Sequence, residues 1–338
     1  MDEILRKLDS GQNLTPEEAE RAMSAIMGGR ASNQEIKSFL LGLKEKGETI
    51  DEIAAFTRVL MRFAAKVECT PEIAGRLVDT CGSGGDVLDT FNISTTAAFV
   101  VAGAGVPVAK HGNRSVSSKS GSVDVLEQLG VNINLNAESV RRCIEEAGIG
   151  FMYAPAFHTA MKNVAQARRE LATRTVFNIL GPLISPAGVK HQLYGIFDHA
   201  LTEKLAGVLK RMGSVHALVV HGMDGLDELS TIGKTKVSEL RNGVVTSYYI
   251  EPEDYGLRRT EPEQLLGGGP KENAEILMAI LEGEHGPKRD IVVLNAGAAI
   301  YAADAARTLK AGIEMANDSI DSDRAMDRLQ KLIEVSNG

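Results

Sequence analysis

The first seventy residues carry three strong start signals for α-helices. Each is a Ser or Thr followed three positions later by Glu, an arrangement that lets both side chains bond the free N–H groups of a first turn. The three segments are Thr15-Pro16-Glu17-Glu18, Ser32-Asn33-Gln34-Glu35 and Thr49-Ile50-Asp51-Glu52. Apolar residues recur at helical spacing after each, and Gly28 and Gly47 end the first two helices. Residues 1–70 are therefore predicted to form a small helical domain.

The pattern changes after Pro71, where short β-branched runs alternate with helical stretches. The predicted strands are Arg76–Asp79, Val106–Ala109, Gly150–Tyr153, His216–Val220, Val244–Tyr249 and Ile291–Leu294. The helices predicted between them include Thr95–Ala104, Ser122–Leu129 and Ala137–Ala147. Such alternation is typical of a mostly parallel central sheet covered by helices, so residues 71–338 are predicted to form a larger α/β domain.

The composition limits the class of protein. The 37 basic and 45 acidic residues give a net charge of −8, which argues against a nucleic-acid or anionic-membrane binder. The three cysteines, Cys69, Cys81 and Cys143, are too few and too scattered for a disulfide framework, and they suit a reducing compartment. No apolar run reaches the ~18 residues of a membrane span, and the N-terminus lacks a secretory signal. These features predict a cytoplasmic protein.

Polar, glycine-rich segments follow the predicted strands. The first is Asp79-Thr80-Cys81-Gly82-Ser83-Gly84-Gly85-Asp86, whose glycines allow the backbone to approach a phosphate or ribose. The second, Asn92-Ile93-Ser94-Thr95-Thr96, precedes an apolar helix. Taken singly, the first is equally compatible with a tight strand-to-helix turn and the second with an ordinary helix N-cap. Together they indicate an anion site at a helix N-terminus.

Two further segments extend this pattern. Lys110-His111-Gly112-Asn113-Arg114-Ser115, continued by Ser117–Ser122, combines cations and hydroxyls after a strand, which favours polyphosphate binding over a merely solvated loop. Asp224-Gly225-Leu226-Asp227-Glu228 places two adjacent carboxylates at another strand end. Adjacent acids alone are typical of an acidic turn, but beside a phosphate site they suit Mg²⁺. The residues thus predict a Mg²⁺-dependent enzyme acting on a phosphorylated ribose.

The order of these segments resembles the anthranilate phosphoribosyltransferase family over essentially the whole chain. The family's Gly-Thr-Gly-Gly-Asp loop corresponds to Gly82–Asp86, and its Asn-x-Ser-Thr segment to Asn92–Thr95. The other similar blocks are Lys110–Arg114, Phe151–Lys162, Arg168–Pro186 and Asp224–Glu228. Three positions depart from the family pattern: Ser83 replaces Thr, Ala172 replaces the usual Gly, and Ser185 replaces the usual Asn.

The resemblance implies an enzyme of tryptophan biosynthesis that transfers the phosphoribosyl group of phosphoribosyl pyrophosphate to the amine of anthranilate, with release of pyrophosphate. It implies a nucleoside-phosphorylase-like fold in which the helical domain is hinged to the α/β domain. It also implies a returning helical segment near residues 164–186 and a homodimer that meets through the helical domain.

The resemblance also implies the site residues. Phosphoribosyl pyrophosphate is expected to contact Gly82, Ser83, Gly85, Asp86, Asn92, Ser94, Thr95, Lys110 and Ser122. Mg²⁺ is expected at Asp227 and Glu228, with Ser94 as a further ligand. Anthranilate is expected at Gly82, Asn113 and Arg168, although Arg168 beside Arg169 also fits a solvated helix face. His111 is a candidate to accept the proton released after attack.

Two other functions fit parts of the pattern. A pyrimidine-nucleoside phosphorylase would share the fold, but a nucleobase offers no carboxylate to Arg168. A non-catalytic nucleic-acid-binding relative would lack the anthranilate pocket, which is intact here, and the acidic composition of this chain disfavours it.

Overall fold

The computed structural model describes residues 1–85, 88–115 and 119–338. Asp86, expected to contact phosphoribosyl pyrophosphate, and part of the predicted Ser117–Ser122 loop lie outside the described residues. The helices are α1 (Asp2–Asp9), α2 (Pro16–Met27), α3 (Asn33–Lys46), α4 (Ile50–Phe63), α5 (Pro71–Ala74), α6 (Ile93–Gly103), α7 (Ser122–Gln128), α8 (Ala137–Ala147), α9 (Ala154–Phe157), α10 (Lys162–Leu171), α11 (Phe177–Leu180), α12 (Thr202–Met212), α13 (Pro270–Leu281), α14 (Pro287–Ala302), α15 (Leu309–Asp321) and α16 (Arg324–Asn337). The strands are β1 (Val78–Asp79), β2 (Val108–Gly112), β3 (Ile149–Tyr153), β4 (His191–Gly195), β5 (His216–Gly222), β6 (Thr235–Arg241) and β7 (Val244–Ile250).

The three predicted helix starts are confirmed. Helices α2, α3 and α4 each begin after a reciprocal capping box. In the first, the Glu18 N–H donates to Thr15 Oγ1 at 3.3 Å, and the Thr15 N–H donates to Glu18 Oε2 at 2.9 Å. These bonds satisfy N–H groups that a helix leaves unpaired at its start, so the local sequence alone defines these three boundaries.

The sheet has the strand order β3-β2-β1-β4-β5-β6-β7. Its first five strands run parallel, and β6 and β7 form an antiparallel hairpin at one edge. The mostly parallel α/β architecture is therefore as predicted. Because β2 and β4 lie on opposite sides of β1, the strand order reverses at β1, and ligands bind in the crevice at such a point.

One predicted strand is wrong and two strands were not predicted. Ile291–Leu294 lies inside α14, a helix that is buried on nearly all sides. A helix apolar around its whole circumference lacks the 3.6-residue periodicity that distinguishes it from a buried strand. The unpredicted strands β4 and β6 include several polar residues, which hide the apolar signal.

The returning segment packs against the N-terminal helices. Val164 and Ala167 of α10 are buried in one apolar core with α2, α3, α4 and α12, and this core extends onto one face of the sheet at Tyr194. The Tyr194 hydroxyl donates to the Ile179 carbonyl at 2.7 Å. A second core, formed mainly by α6, α14, α15 and α16, covers the opposite face of the sheet. The segment around residues 164–184 therefore lies above the carboxyl ends of the parallel strands.

Two departures from the family pattern have local structural consequences. Ala172 ends α10 with φ 47°, a left-handed conformation that glycine adopts without a Cβ penalty. Ser185 is buried, and its hydroxyl has no hydrogen-bond partner among the described residues.

No helix in the described part of the chain combines the length and apolar character that crossing a membrane requires.

Candidate active site

A cleft of about 970 Å³ lies at the carboxyl edge of the parallel strands, below the returning segment. It brings together the described residues that the sequence singles out, although they come from six separate segments. These cleft residues are Gly82, Ser83, Gly85, Asn92, Ser94, Thr95, Lys110, His111, Asn113, Ser122, Arg168, Asp227 and Glu228. The cleft is also lined by residues without an individual predicted role, among them His158, Arg174, Phe177 and Phe197.

The glycine loop, residues 82–85, follows β1 and is held by its neighbours. The Ser83 N–H donates to the Gly195 carbonyl at 2.8 Å, and the Ser83 hydroxyl accepts the Phe197 N–H at 3.2 Å. The Gly84 N–H donates to Asp227 Oδ2 at 2.7 Å. Ser83 therefore keeps the hydroxyl of the family's Thr and uses it to tie the loop to the end of β4.

Helix α6 begins at the cleft, and no described side chain caps its N-terminus. Asn92 occupies the N-cap position, but its Oδ1 accepts the Asn273 amide at 2.8 Å and its Nδ2 donates to the Ser120 carbonyl at 3.3 Å. The N-cap explanation of Asn92 is thus wrong, because its side chain bonds helix α13 and the Ser120 backbone instead. The first turn of α6, with Ser94 and Thr95, is left to face the cleft, as an anion site requires.

Lys110 lies beneath this turn. Its side chain is buried, and its ammonium donates to Thr80 O at 2.9 Å, Thr80 Oγ1 at 3.1 Å and Ser94 Oγ at 3.1 Å. The buried carboxylate of Asp79, at the end of β1, is a nearby opposite charge. Burial nevertheless raises the pKa of Asp79 to about 7. Lys110 thus supplies a fixed positive charge at the floor of the cleft.

The other cations of this region serve different contacts. Arg114 pairs with Asp124 at 3.0 Å and Glu127 at 2.6 Å, on the helix α7 side. Lys119 pairs with Asp89 at 3.2 Å. Arg114 nevertheless lines the cleft together with Lys110, so polyphosphate binding by this loop stays a prediction, with Lys110 as its buried cation.

Asp227 and Glu228 follow β5 and lie beside the glycine loop. Burial raises the pKa of Asp227, even though its carboxylate accepts the Gly84 N–H. Among the described residues, no group of three or more His, Cys, Asp or Glu side chains could hold a metal ion by themselves. Two adjacent carboxylates, one of them partly desolvated, fit a Mg²⁺ ion that takes its remaining ligands from a substrate and water.

Gly195, at the end of β4, lets the carboxylate pair approach the sheet. A Cβ at this position would lie 1.5 Å from the backbone carbonyl oxygen of Asp227. We expect Gly195→Ala to displace Asp227 and to lower the free energy of unfolding by about 1–3 kcal/mol, the range for overpacked sites. Urea denaturation measures the loss.

Gly75→Ala is the matched control for this prediction, since a Cβ there would meet its nearest neighbour, the Pro71 carbonyl, at 3.5 Å. Equal stability of the Gly195→Ala and Gly75→Ala proteins would contradict the close approach of Asp227 to β4.

Two buried histidines face each other in the cleft. The rings of His111 and His158 lie 4.9 Å apart between centroids, and neither Nε2 atom has a described partner. Burial lowers the pKa of His111 to about 3, with a further contribution from His158, and burial lowers the pKa of His158 to about 4. Both rings are therefore neutral near pH 7, with a lone pair on one nitrogen.

Arg168 lies in the last turn of α10 and faces the same cleft. Burial lowers the pKa of its guanidinium, which lies 5.6 Å from the centroid of the Phe177 ring. No ion pair or hydrogen bond joins its side chain to the residues described. The neighbouring Arg169 is exposed. A half-buried, unpaired guanidinium next to an aromatic ring suits an aromatic carboxylate.

Known proteins match this chain in both sequence and fold. The sequence profile described as "Glycosyl transferase family, a/b domain" matches residues 74–326, and the profile described as "Glycosyl transferase family, helical bundle domain" matches residues 2–64. The anthranilate phosphoribosyltransferase of Symbiobacterium thermophilum is 52% identical over 99% of this chain and 98% of its own length. That of Methanosarcina barkeri is 52% identical over 96% and 88%.

Solved structures give the same result. The anthranilate phosphoribosyltransferase of Thermus thermophilus superposes with a TM-score of 0.93 at 40% identity, covering 99% of both chains. The Saccharomyces cerevisiae enzyme in complex with PRPP and Mg superposes with a TM-score of 0.89 at 29% identity, covering 99% of this chain and 97% of that one. By sequence and by fold, the chain belongs to the anthranilate phosphoribosyltransferase family.

Proposed function

We propose that this protein transfers the phosphoribosyl group of phosphoribosyl pyrophosphate to the amine of anthranilate and releases pyrophosphate, a step of tryptophan biosynthesis. One observation carries the proposal: a single cleft combines a glycine loop, a helix N-terminus, two carboxylates and an arginine, and neither the helix end nor the arginine has a hydrogen-bonded side-chain partner among the described residues. The first three features suit a metal-bound polyphosphate, and the arginine suits the carboxylate of a second substrate. The names of the relatives support the same reaction.

Phosphoribosyl pyrophosphate is assigned to the sheet side of the cleft. The first turn of α6 offers backbone N–H groups, the glycine loop lets the substrate approach without a Cβ in the way, and Lys110 offers a charge. The proposed contacts are Gly82, Ser83, Gly85, Asp86, Asn92, Ser94, Thr95, Lys110 and Ser122. Asn92 contributes mainly by joining the loops around the site, since both ends of its amide already bond to protein.

Mg²⁺ is assigned to Asp227 and Glu228. A solved relative from Saccharomyces cerevisiae contains PRPP and Mg, which supports a metal in this chemistry. The Ser94 hydroxyl, proposed as a further ligand, accepts a hydrogen bond from Lys110. Bound there, Mg²⁺ would neutralise part of the charge of the departing pyrophosphate.

Anthranilate is assigned to the opposite side of the cleft. Arg168 would bind its carboxylate, and Asn113 and Gly82 would line the pocket. The amine is directed toward C1 of the ribose, where the nitrogen lone pair forms the new C–N bond as the C–O bond to pyrophosphate breaks. The pyrophosphate leaves with the electron pair of that bond. A relative bound to 4-fluoroanthranilate supports an aromatic amine in such a cleft.

The excess proton on the new nitrogen needs an acceptor after attack. His111 lines the cleft, and its buried Nε2 has no partner among the described residues, so we propose it as the acceptor of that proton. Its low pKa makes it a weak base, which suits the acidic protonated arylamine better than it would suit abstraction from the neutral amine. We assign His111 this late proton transfer and no activation of the nucleophile.

Lys110→Met is expected to raise the Michaelis constant for phosphoribosyl pyrophosphate by about 10- to 100-fold, and Ser94→Ala by a smaller factor. Lys110→Met keeps the side-chain volume but removes the positive charge at the floor of the cleft, which attracts the phosphate groups of the substrate. Steady-state kinetics with each substrate varied measures the change. Lys271→Met, at an exposed lysine on α13, is the control. A rise confined to the anthranilate constant would contradict the assignment.

The reaction is tested by mixing protein, Mg²⁺, phosphoribosyl pyrophosphate and anthranilate and following the loss of anthranilate fluorescence. We expect loss only when all components are present. A parallel assay with uridine and phosphate tests the phosphorylase alternative, which predicts release of uracil. Uracil release without anthranilate consumption would replace the proposed function.

Three broader assignments accompany this function. We propose a helical domain of residues 1–70 with a returning segment near 164–186, hinged to an α/β domain of residues 71–338. We propose a homodimer that meets through the helical domain, and a cytoplasmic location. Small-angle scattering and analytical ultracentrifugation test the first two, and cell fractionation tests the third.

A further inference from the structure

Arg174 connects the returning segment to the glycine loop. It follows α10 in sequence, and its side chain reaches the carboxyl edge of the parallel strands. There its Nη2 donates to the Gly85 carbonyl at 3.1 Å. Its guanidinium lies 3.9 Å from the centroid of the Phe197 ring, beyond the end of β4. An exposed arginine is usually free to change rotamer, but these two contacts fix both the position and the plane of this guanidinium.

The glycine loop depends on such contacts from outside. It has no large side chain to pack, and Gly85 has φ 81°, in the left-handed region. Ser83 ties the beginning of the loop to β4, and Asp227 accepts the N–H of Gly84. Arg174 holds the end of the loop at Gly85. A Cβ on Gly85 would lie 3.2 Å from Arg174 Nη2, which shows how closely the guanidinium packs on the backbone.

We propose that Arg174 is a positioning residue for phosphoribosyl pyrophosphate, acting through the Gly85 carbonyl. By bonding Gly85 and packing on Phe197, it holds the end of the glycine loop in the conformation that binds the substrate. Arg174 belongs to the same returning segment as Arg168, so this segment then supports both substrates, one through each arginine. The role rests on the proposed function, because it presupposes that the loop binds that substrate.

Charge alone does not account for this geometry. Among the described residues, Arg174 forms no ion pair with a carboxylate, and its contacts are the Gly85 carbonyl and the Phe197 ring. A lysine could donate to the Gly85 carbonyl, but it lacks the planar group that stacks on Phe197. The two contacts therefore predict graded losses of affinity for phosphoribosyl pyrophosphate. Arg174→Ala loses both contacts and should show the full loss, whereas Arg174→Lys and Phe197→Leu should each show a partial loss.

The test compares these three variants with wild type and with Arg169→Ala, an exposed arginine in the same segment. Calorimetry with Mg²⁺ gives the affinity for phosphoribosyl pyrophosphate, and kinetics gives both Michaelis constants. For Arg174→Ala we expect affinity for phosphoribosyl pyrophosphate to fall about 5- to 20-fold, allowing for solvent exposure of the side chain. The Michaelis constant for anthranilate and the melting temperature should stay at their wild-type values. Free guanidinium ion should partly restore Arg174→Ala and leave Arg169→Ala unchanged.

The outcomes separate this role from the function it rests on. Unchanged affinity in Arg174→Ala beside normal wild-type binding would overturn the positioning role alone. Equal rises in both Michaelis constants, with a lower melting temperature and no guanidinium rescue, would assign Arg174 a structural role and also overturn it. Failure of the wild-type protein to bind phosphoribosyl pyrophosphate would overturn both the role and the proposed function.

Discussion

Replacing Asp227 by Asn and Glu228 by Gln is expected to lower turnover by about 100- to 1,000-fold at ordinary Mg²⁺ concentrations. The two carboxylates are the proposed protein ligands of the ion, and a metal that stabilises a leaving group contributes several kcal/mol to the transition state. The double variant should also need more Mg²⁺ to reach half-maximal rate. Titration of the initial rate with Mg²⁺, and calorimetry of phosphoribosyl pyrophosphate binding with and without Mg²⁺, measure both effects.

The same variant should fold normally. Burial raises the pKa of Asp227, so its negative charge costs free energy in the folded state, and an Asn amide oxygen can still accept the Gly84 N–H. Glu263→Gln with Asp327→Asn removes two charges from exposed positions outside the cleft and is the matched control. A Mg²⁺ titration of Asp227→Asn/Glu228→Gln that coincides with that of the control would contradict the metal assignment.

Arg168→Ala is expected to weaken anthranilate binding by about 2–4 kcal/mol, or roughly 30- to 1,000-fold. The guanidinium is half-buried and has no described ion pair, so a carboxylate bound there would be partly desolvated and held by charge-assisted bonds. Affinity for phosphoribosyl pyrophosphate should change little, because that substrate is assigned to the opposite side of the cleft. Michaelis constants for both substrates, with turnover measured at saturation, separate the two effects.

Arg169→Ala serves as the internal control for Arg168. It removes the same charge from the next position in the chain, where the side chain is exposed. A defect of equal size in the two variants would show that net charge, and no specific anchor, determines anthranilate affinity. A normal anthranilate constant in Arg168→Ala would also exclude the assignment.

The fold was predictable wherever the signal was local. The capping boxes at Thr15, Ser32 and Thr49 define helix starts within four residues of sequence, so these boundaries can be predicted from the local sequence. Strand β4 was missed because His191 and Gln192 are polar, and only tertiary partners make their burial possible. His191 Nδ1 lies 2.8 Å from the Ala302 carbonyl, and Gln192 donates to the Pro182 carbonyl at 2.8 Å.

The candidate site was likewise predictable only in part. Motif order predicted which segments meet, because carboxyl ends of parallel strands share one edge. It did not predict the direction of each side chain. Arg114 lines the cleft but pairs with Asp124 and Glu127, two contacts that its sequence position does not indicate.

Two sets of close contacts could also not be predicted from the sequence. One is the packing of Asp227 on Gly195, and the other is the contact of Arg174 with Phe197 and Gly85. Each contact joins residues far apart in the chain. For Gly195 the sequence offers no local signal, because the polar residues of β4 hide the strand that it ends.

The most direct test of the proposed function identifies the bond that forms. The protein is incubated with Mg²⁺, phosphoribosyl pyrophosphate and ¹⁵N-labelled anthranilate, and the product is analysed by NMR and mass spectrometry alongside a pyrophosphate assay. We predict one pyrophosphate released per anthranilate consumed, with the label bonded to ribose C1 in a phosphoribosyl-anthranilate adduct. Pyrophosphate release that leaves the labelled anthranilate unchanged, or no reaction with fresh substrates, would contradict the account.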